Sequence, residues 1–254
     1  MSPTTERVRF HGSLGAELAA QLELPDGDPR GWVVFAPCFT CAKDAKAVVH
    51  ASRAMRARGL AVLRYDVTGI GESEGRFADT TFASQVDDLA AACSAARERG
   101  AGSLLLTGIS LGGAAVLVGA PRIDGVVAVA TVNAPSDTRH LRDLLASRAP
   151  AILTEGEADV TLFNKTTRIG RALLDDVLRH DPEAAAAGLG RPLMIFHAPA
   201  DAVVPAEHAR RLFTAARHPK SFVAIDDADH LLLDPPGAAD RVGDILAAWG
   251  LGYF

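Results

Sequence analysis

The sequence has little cysteine, no excess of positive charge and no long hydrophobic run. Three cysteines in 254 residues do not make a disulfide framework. Cys38-Phe39-Thr40-Cys41 has the C-x-x-C spacing of a redox pair or of half a zinc site. A zinc site needs a second ligand pair, and Cys93 stands alone on a predicted helix; a thioredoxin-like reading needs a smaller βαβ context. Two half-buried thiols in a loop are therefore expected. The net charge of −5, with Lys and Arg interspersed among acids, supplies no basic field and excludes nucleic acid as a partner. Met1–Arg7 lacks the apolar stretch of a signal peptide, and no later run approaches the ~20 apolar residues a membrane helix needs. No membrane association and a cytoplasmic location are expected. The eight histidines form no H-x-x-x-H or H-E-x-x-H cluster, so no metal site and no cofactor are expected. Repeats, long linkers and low-complexity tails are also missing.

What is present is a 48% hydrophobic chain, long enough for one large core. Arg7–Phe10 and Leu18–Leu24 read as an antiparallel hairpin. Trp32–Ala36, Ala61–Asp66, Leu104–Leu106, Val126–Val132, Leu193–His197 and Ser221–Ile225 are short apolar runs suited to buried strands. Helical patterns separate them, at about Asp44–Arg58, Phe82–Arg99, Ala114–Ala120, Ala206–Ala216 and Ala238–Trp249. This alternation predicts an α/β fold, with a mostly parallel sheet covered on both faces by helices. Between about Ser136 and Arg191 the rhythm breaks. Asp137–Leu145 is read there as a helix, Ala151–Thr154 with Ala158–Phe163 as a short hairpin, and Ile169–Arg179 as a second helix. The expectation is a single domain over residues 1–254, with a cap insertion at about 136–191.

The chemistry concentrates at Thr107-Gly108-Ile109-Ser110-Leu111-Gly112-Gly113. A strand entering Gly-x-Ser-x-Gly and passing directly into a helix lifts a serine above the sheet edge, a nucleophile elbow. Glycines are required because side chains at Gly108 and Gly112 would collide with the neighbouring strand and helix. A serine hydroxyl needs a base, and the base needs a carboxylate to orient it. The strand ending at His197 runs into a loop holding Asp201, and the last strand runs into a loop holding His230. Ser110, Asp201 and His230 thus fall on three loops at one sheet edge, in the order nucleophile, acid, base. Asp226, Asp227 and Asp229 lie on the wrong loop to be the acid, and His197 reads as a buried structural histidine. The glycine-rich stretch Gly69–Gly75 lacks phosphate-cradle spacing and reads as structural.

A tetrahedral acyl-transfer intermediate needs two N–H donors. The elbow assigns one to Leu111 and the other to the loop after Trp32–Ala36, where Phe39 is best placed. Cys38, Ile109, Leu144, Leu145, Leu162 and Phe163 are the candidate pocket lining.

The whole chain resembles an α/β-hydrolase of the serine-esterase type. Phe35-Ala36-Pro37-Cys38-Phe39-Thr40-Cys41-Ala42-Lys43-Asp44, followed by Asp66–Gly75, resembles more narrowly the bacterial hydrolases found fused to, or encoded beside, an OsmC-like peroxidase domain. That group usually has histidine at the positions of Pro37 and Ile109, and both replacements remove a polar group beside the site. Peroxidase chemistry is not carried over. The resemblance and the motifs together imply a cofactor-free hydrolase of small to medium acyl or aryl esters, with a small-molecule partner and a possible homodimer. Thioesterase, peptidase or acyltransferase action on the same three residues, a non-catalytic binding role on this fold, and a redox role for Cys38 and Cys41 are the alternatives.

Overall fold

The computed structural model describes residues 4–162 and 165–254, without the side chains of His140 and Leu162. Thr4–His11 (β1) and Glu17–Leu24 (β2) form the antiparallel hairpin, with Val8 opposite Ala20. The chain then alternates through Gly31–Ala36 (β3), Lys46–Ala57 (α1), Leu60–Tyr65 (β4), Phe82–Arg97 (α2), Leu104–Ile109 (β5), Leu111–Gly119 (α3) and Val126–Val132 (β6). The insertion contains Arg139–Arg148 (α4), Ala151–Glu155 (α5), Glu157–Leu162 (β7), Lys165–Gly170 (β8), Arg171–Val177 (α6) and Pro182–Gly188 (α7). Leu193–His197 (β9), Glu207–Ala215 (α8), Lys220–Ala224 (β10) and Ala238–Gly250 (α9) complete the sequence.

The main sheet runs β1-β2-β4-β3-β5-β6-β9-β10. Pairing is antiparallel from β1 to β4 and parallel from there to β10. In β5, residues of alternate parity face opposite sides, so one run of leucines feeds two cores. Leu104 and Leu106 pack with Phe82, Leu89, Val116 and Leu117 of α2 and α3. Leu105 packs with Met55, Val242 and Leu246 of α1 and α9. This is why the strands read as unbroken apolar runs: both faces are covered. Helix α2 begins at a reciprocal capping box between Thr81 and Ser84, which satisfies two otherwise unpaired N–H groups. No helix among the described residues is long and apolar enough to cross a membrane.

The insertion departs from the sequence expectation. Ala151–Thr154 is helical rather than a strand: Pro150 presets a helical φ of −55° at the entry, and Gly156 at φ 87° stops the turn in the left-handed region. The hairpin is shifted along the chain, pairing Glu157 with Gly170 through Leu162 with Lys165. Ile169, expected to open a helix, is thus a strand residue, and the helix starts at Arg171. Helix α7 was not anticipated, although Asp181 caps it through the Ala184 N–H with Pro182 following, an N-terminal signature present in the sequence. Strand β6 pairs directly with β9, so the insertion leaves and re-enters the sheet at neighbouring strands.

Candidate active site

Strand β5 delivers Ser110 into a turn that few residues adopt, at φ 55° and ψ −124°. The turn survives because the flanking side chains are absent. A Cβ on Gly108 would lie 2.3 Å from the Gly112 carbonyl oxygen, and one on Gly112 would lie 2.3 Å from that of Pro37. The Ser110 N–H donates to the Val132 carbonyl at 2.8 Å, fixing the elbow to β6. Helix α3 begins at the next residue, so its unpaired N–H groups and positive dipole end open beside the serine.

His230 arrives from the loop after β10, with Nε2 3.0 Å from Ser110 Oγ and Nδ1 2.7 Å from Asp201 Oδ2. An ionised carboxylate can only accept, so Nδ1 carries the proton and the Nε2 lone pair faces the serine hydroxyl. Asp201 sits in the loop after β9, where its Oδ1 accepts the Val203 and Val204 N–H groups at 2.8 and 2.9 Å. Burial pushes the Asp201 carboxyl up, but bonds from His230 and from the Val204 and Val203 N–H groups, with the imidazole charge, outweigh it and hold the group below the usual carboxylate range.

Two further residues, not singled out in the sequence as part of the site, brace these loops. Asn133, at the end of β6, adopts φ 48°, a conformation Asn tolerates better than most residues. Its Nδ2 donates to the His230 carbonyl and its Oδ1 accepts the Ala198 N–H, each at 2.8 Å. The buried His197 contacts the Val204 carbonyl through Nε2 at 2.9 Å, fastening the same turn that faces Asp201. Burial pushes the His197 imidazole below its ordinary value, against the Val204 carbonyl and the Asp201 charge, and the ring is buried and hydrogen-bonded, as expected. Asp226, Asp227 and Asp229 are exposed.

Ser110 and His230 open into a cavity of about 310 Å³. Phe39 and Leu111 line it, as do Cys38 and Leu144 from the expected set; Leu141, Pro135 and Val203 are additional apolar walls. Ile109 and Leu145 do not line it. Ile109 faces the opposite side of the elbow, beside a separate apolar cavity of about 180 Å³ with Val48 and Leu231. Leu145 is turned into the core, because Leu141, Leu144 and Arg148 take the cavity-facing stripe of α4. Phe163 lies outside the described residues, and of Leu162 only the backbone is described.

The loop carrying Phe39 is held from below. Asp66, at the end of β4, accepts the Lys43 N–H at 2.5 Å through Oδ1, and the Lys43 ammonium and Glu72 N–H through Oδ2 at 3.1 and 3.0 Å. Burial disfavours the Lys43 ammonium, but Glu72, Asp66 and Asp44 more than compensate and raise its affinity for the proton. The glycine-rich stretch thereby serves as a brace; a Cβ on Gly71 would lie 2.3 Å from Asp66 Oδ2. Cys38 and Cys41 form a disulfide rather than the two thiols expected, because the tight turn between them brings their Cα atoms to 5.2 Å. Cys93 is a buried thiol whose pKa burial pushes up to about 12, with Arg97 opposing, which makes it inert near neutral pH. Among the described residues, no three His, Cys, Asp or Glu side chains gather as metal ligands would.

A family model described as serine aminopeptidase, S33, matches residues 27–183. The esterase domain from a Rhodothermus marinus protein is similar at 41% identity with a TM-score of 0.80, covering 98% of this chain and 99% of that one. Est1E from Butyrivibrio proteoclasticus shares the fold at 17% identity and a TM-score of 0.78, over 97% of this chain and 98% of its own. The protein YfhR of Escherichia coli (strain K12) is 28% identical over 193 residues, 74% of this chain. This chain spans 58% of the length of that curated relative. The mainly parallel eight-stranded sheet and the family match agree: the chain belongs to the α/β-hydrolase family described as serine aminopeptidase, S33, and an esterase domain is among its structural neighbours.

Proposed function

We propose that the protein hydrolyses carboxylic esters through an acyl-enzyme on Ser110. The observation that carries this is the continuous chain of contacts from Ser110 Oγ through His230 to Asp201, opening onto a mainly apolar cavity. His230 Nε2 takes the hydroxyl proton as Oγ attacks the ester carbonyl; Asp201 holds the ring in the required tautomer and stabilises the imidazolium. The main-chain N–H groups of Leu111 and Phe39 receive the oxyanion, and losing one such donor costs about 3 kcal/mol of transition-state stabilisation. His230 returns the proton to the leaving alcohol. Water, deprotonated by the same imidazole, then releases the acid and restores Ser110.

The cavity, at about 310 Å³, is at the small end of ligand sites and suits small to medium acyl or aryl groups. An aminopeptidase must seat a free α-ammonium, which calls for a carboxylate in the pocket. Among the described residues none that lines the cavity is acidic, which favours esters over peptide N-termini. The test is hydrolysis of 4-nitrophenyl esters of increasing acyl length by the unmodified protein and by Ser110→Ala. Turnover that disappears in the variant, together with fluorophosphonate labelling of Ser110, is expected; full turnover by Ser110→Ala would sink the assignment.

A further inference from the structure

Among the described residues lining the cavity that receives Ser110, the one arginine is Arg148. Leu141, Leu144 and Arg148 project from one stripe of α4 at spacings of three and four residues, so they line the cavity in succession. Arg148 stands about 6 Å further along the helix axis than Leu144, one turn beyond the apolar wall.

Arg148 differs from the arginines of the cap that are held in ion pairs. Arg142 pairs with Asp143, Arg168 with Glu157 and Asp159, and Arg171 with Asp175. Arg148 has no carboxylate within ion-pair distance among the described residues. The bond recorded for it runs from Nη1 to the Thr161 carbonyl at 3.5 Å, the outer limit for such a contact. A guanidinium offers a planar fork of donors that matches a carboxylate, and Arg148 lines a cavity that is otherwise walled, apart from Ser110 and His230, by apolar residues. In a chain with more acidic than basic residues, an anion must be attracted locally, and this cation supplies the local field.

From this arrangement we infer that the preferred substrates are esters bearing a second, anionic group, of the carboxylate class, which Arg148 binds while the apolar part of the molecule lies along Leu141 and Leu144. The inference rests on the ester-hydrolase reading and specifies its substrate. Arg148 is a specificity determinant; it stabilises substrate and transition state alike, so its removal raises KM more than it lowers kcat.

The test compares charged and uncharged esters of equal length. In the first arm, mono-4-nitrophenyl esters of succinic, glutaric and adipic acids are set against their terminal carboxamides, which places the anion on the acyl side. In the second, 4-acetoxybenzoate is set against 4-acetoxybenzamide, which places it on the alcohol side. The quantity read is the ratio of kcat/KM, charged over uncharged. In at least one arm the ratio should fall by roughly tenfold in Arg148→Gln, fall further in Arg148→Glu, and be largely restored in Arg148→Lys. It should also decline with added salt. The arm that responds identifies which side of the ester carries the anion. A ratio that is the same in Arg148→Gln as in the unmodified protein, in both arms, overturns the inference while leaving ester hydrolysis intact. Should no ester be turned over, the reaction itself is misassigned, and the anion site is decided by calorimetric titration of monophenyl glutarate into Ser110→Ala. Roughly tenfold weaker binding in the Ser110→Ala, Arg148→Gln double variant supports the site, and equal binding rejects it.

Discussion

Asn133 donates from Nδ2 to the carbonyl of His230 at 2.8 Å, and so a residue at the end of β6 sets the height of the imidazole above Ser110. The same side chain accepts the Ala198 N–H, three residues before Asp201. One amide therefore spaces the two loops that carry His230 and Asp201. Glycine at this position keeps the positive φ and removes both bonds. Asn133→Gly is expected to lower kcat by about 10- to 100-fold, since displacements near 1 Å at a reacting group cost on that scale. Steady-state kinetics beside a melting curve will show whether catalysis falls far more than stability.

Asp201→Asn preserves size and offers the wrong hydrogen-bonding face to His230 Nδ1. The ring is then driven toward the tautomer that points a proton, not a lone pair, at Ser110. A fall in kcat of about 10⁴ is expected, as for other triads so altered. A loss below about tenfold would mean that another group orients the imidazole.

Gly108→Ala tests the elbow's steric requirement. The new methyl would lie 2.3 Å from the Gly112 carbonyl oxygen, a backbone atom that cannot swing aside. Destabilisation of about 3 kcal/mol is expected from overpacking on this scale. Gly102→Ala is the control, because nothing lies within 4 Å of a Cβ there, and its midpoint in urea should shift by less than about 0.5 kcal/mol equivalent.

His197 links stability to pH. Its folded-state affinity for the proton is lowered, chiefly by burial, so the unfolded chain binds that proton more readily. The contribution is fully present above the unfolded value of about 6.5 and is lost as the pH falls through the lower folded value. Asp201, also depressed, acts in the same direction but in a lower window, beginning near the unfolded carboxylate value of about 3.9. Urea unfolding at pH 7.5 and 5.5 should show a loss on acidification, and His197→Asn should flatten it. An unchanged slope in the variant would assign the loss to other groups.

Much of this arrangement is legible in the chain because each part has a local cause. Leu104–Leu106 reads as a buried strand whichever face a leucine takes, and the glycines around Ser110 mark a turn that only small neighbours permit. The order of Asp201 and His230 follows from the strand rhythm. What the sequence alone does not show depends on distance across the fold. The Cys38–Cys41 bond depends on the tightness of a turn that spacing alone does not give. Asn133 looks like an ordinary strand end until the two loops it spaces are seen together. Ile109 was expected in the pocket because it adjoins Ser110, but alternation along β5 sends it to the other face. Within the insertion, Ala-Ile-Leu-Thr suits a strand as well as a helix, and Pro150 and Gly156 decide the matter only as a pair. The Thr-rich, polar β8 has no apolar alternation to announce it.

The insertion departs from β6 and returns at β9, two strands that are already hydrogen-bonded to each other. Because the two strands are parallel, it leaves after Val132 at one end of the pair and returns at Leu193, which lies opposite Val129, three residues or about 10 Å back along the strand. A segment so attached behaves as an exchangeable cassette. Grafting the corresponding stretch of another hydrolase between these strands should exchange the walls contributed by Leu141, Leu144 and Arg148 while Ser110, Asp201 and His230 keep their seats. Diversification of what this scaffold accepts can then proceed by replacing a roof, with the reaction machinery inherited whole.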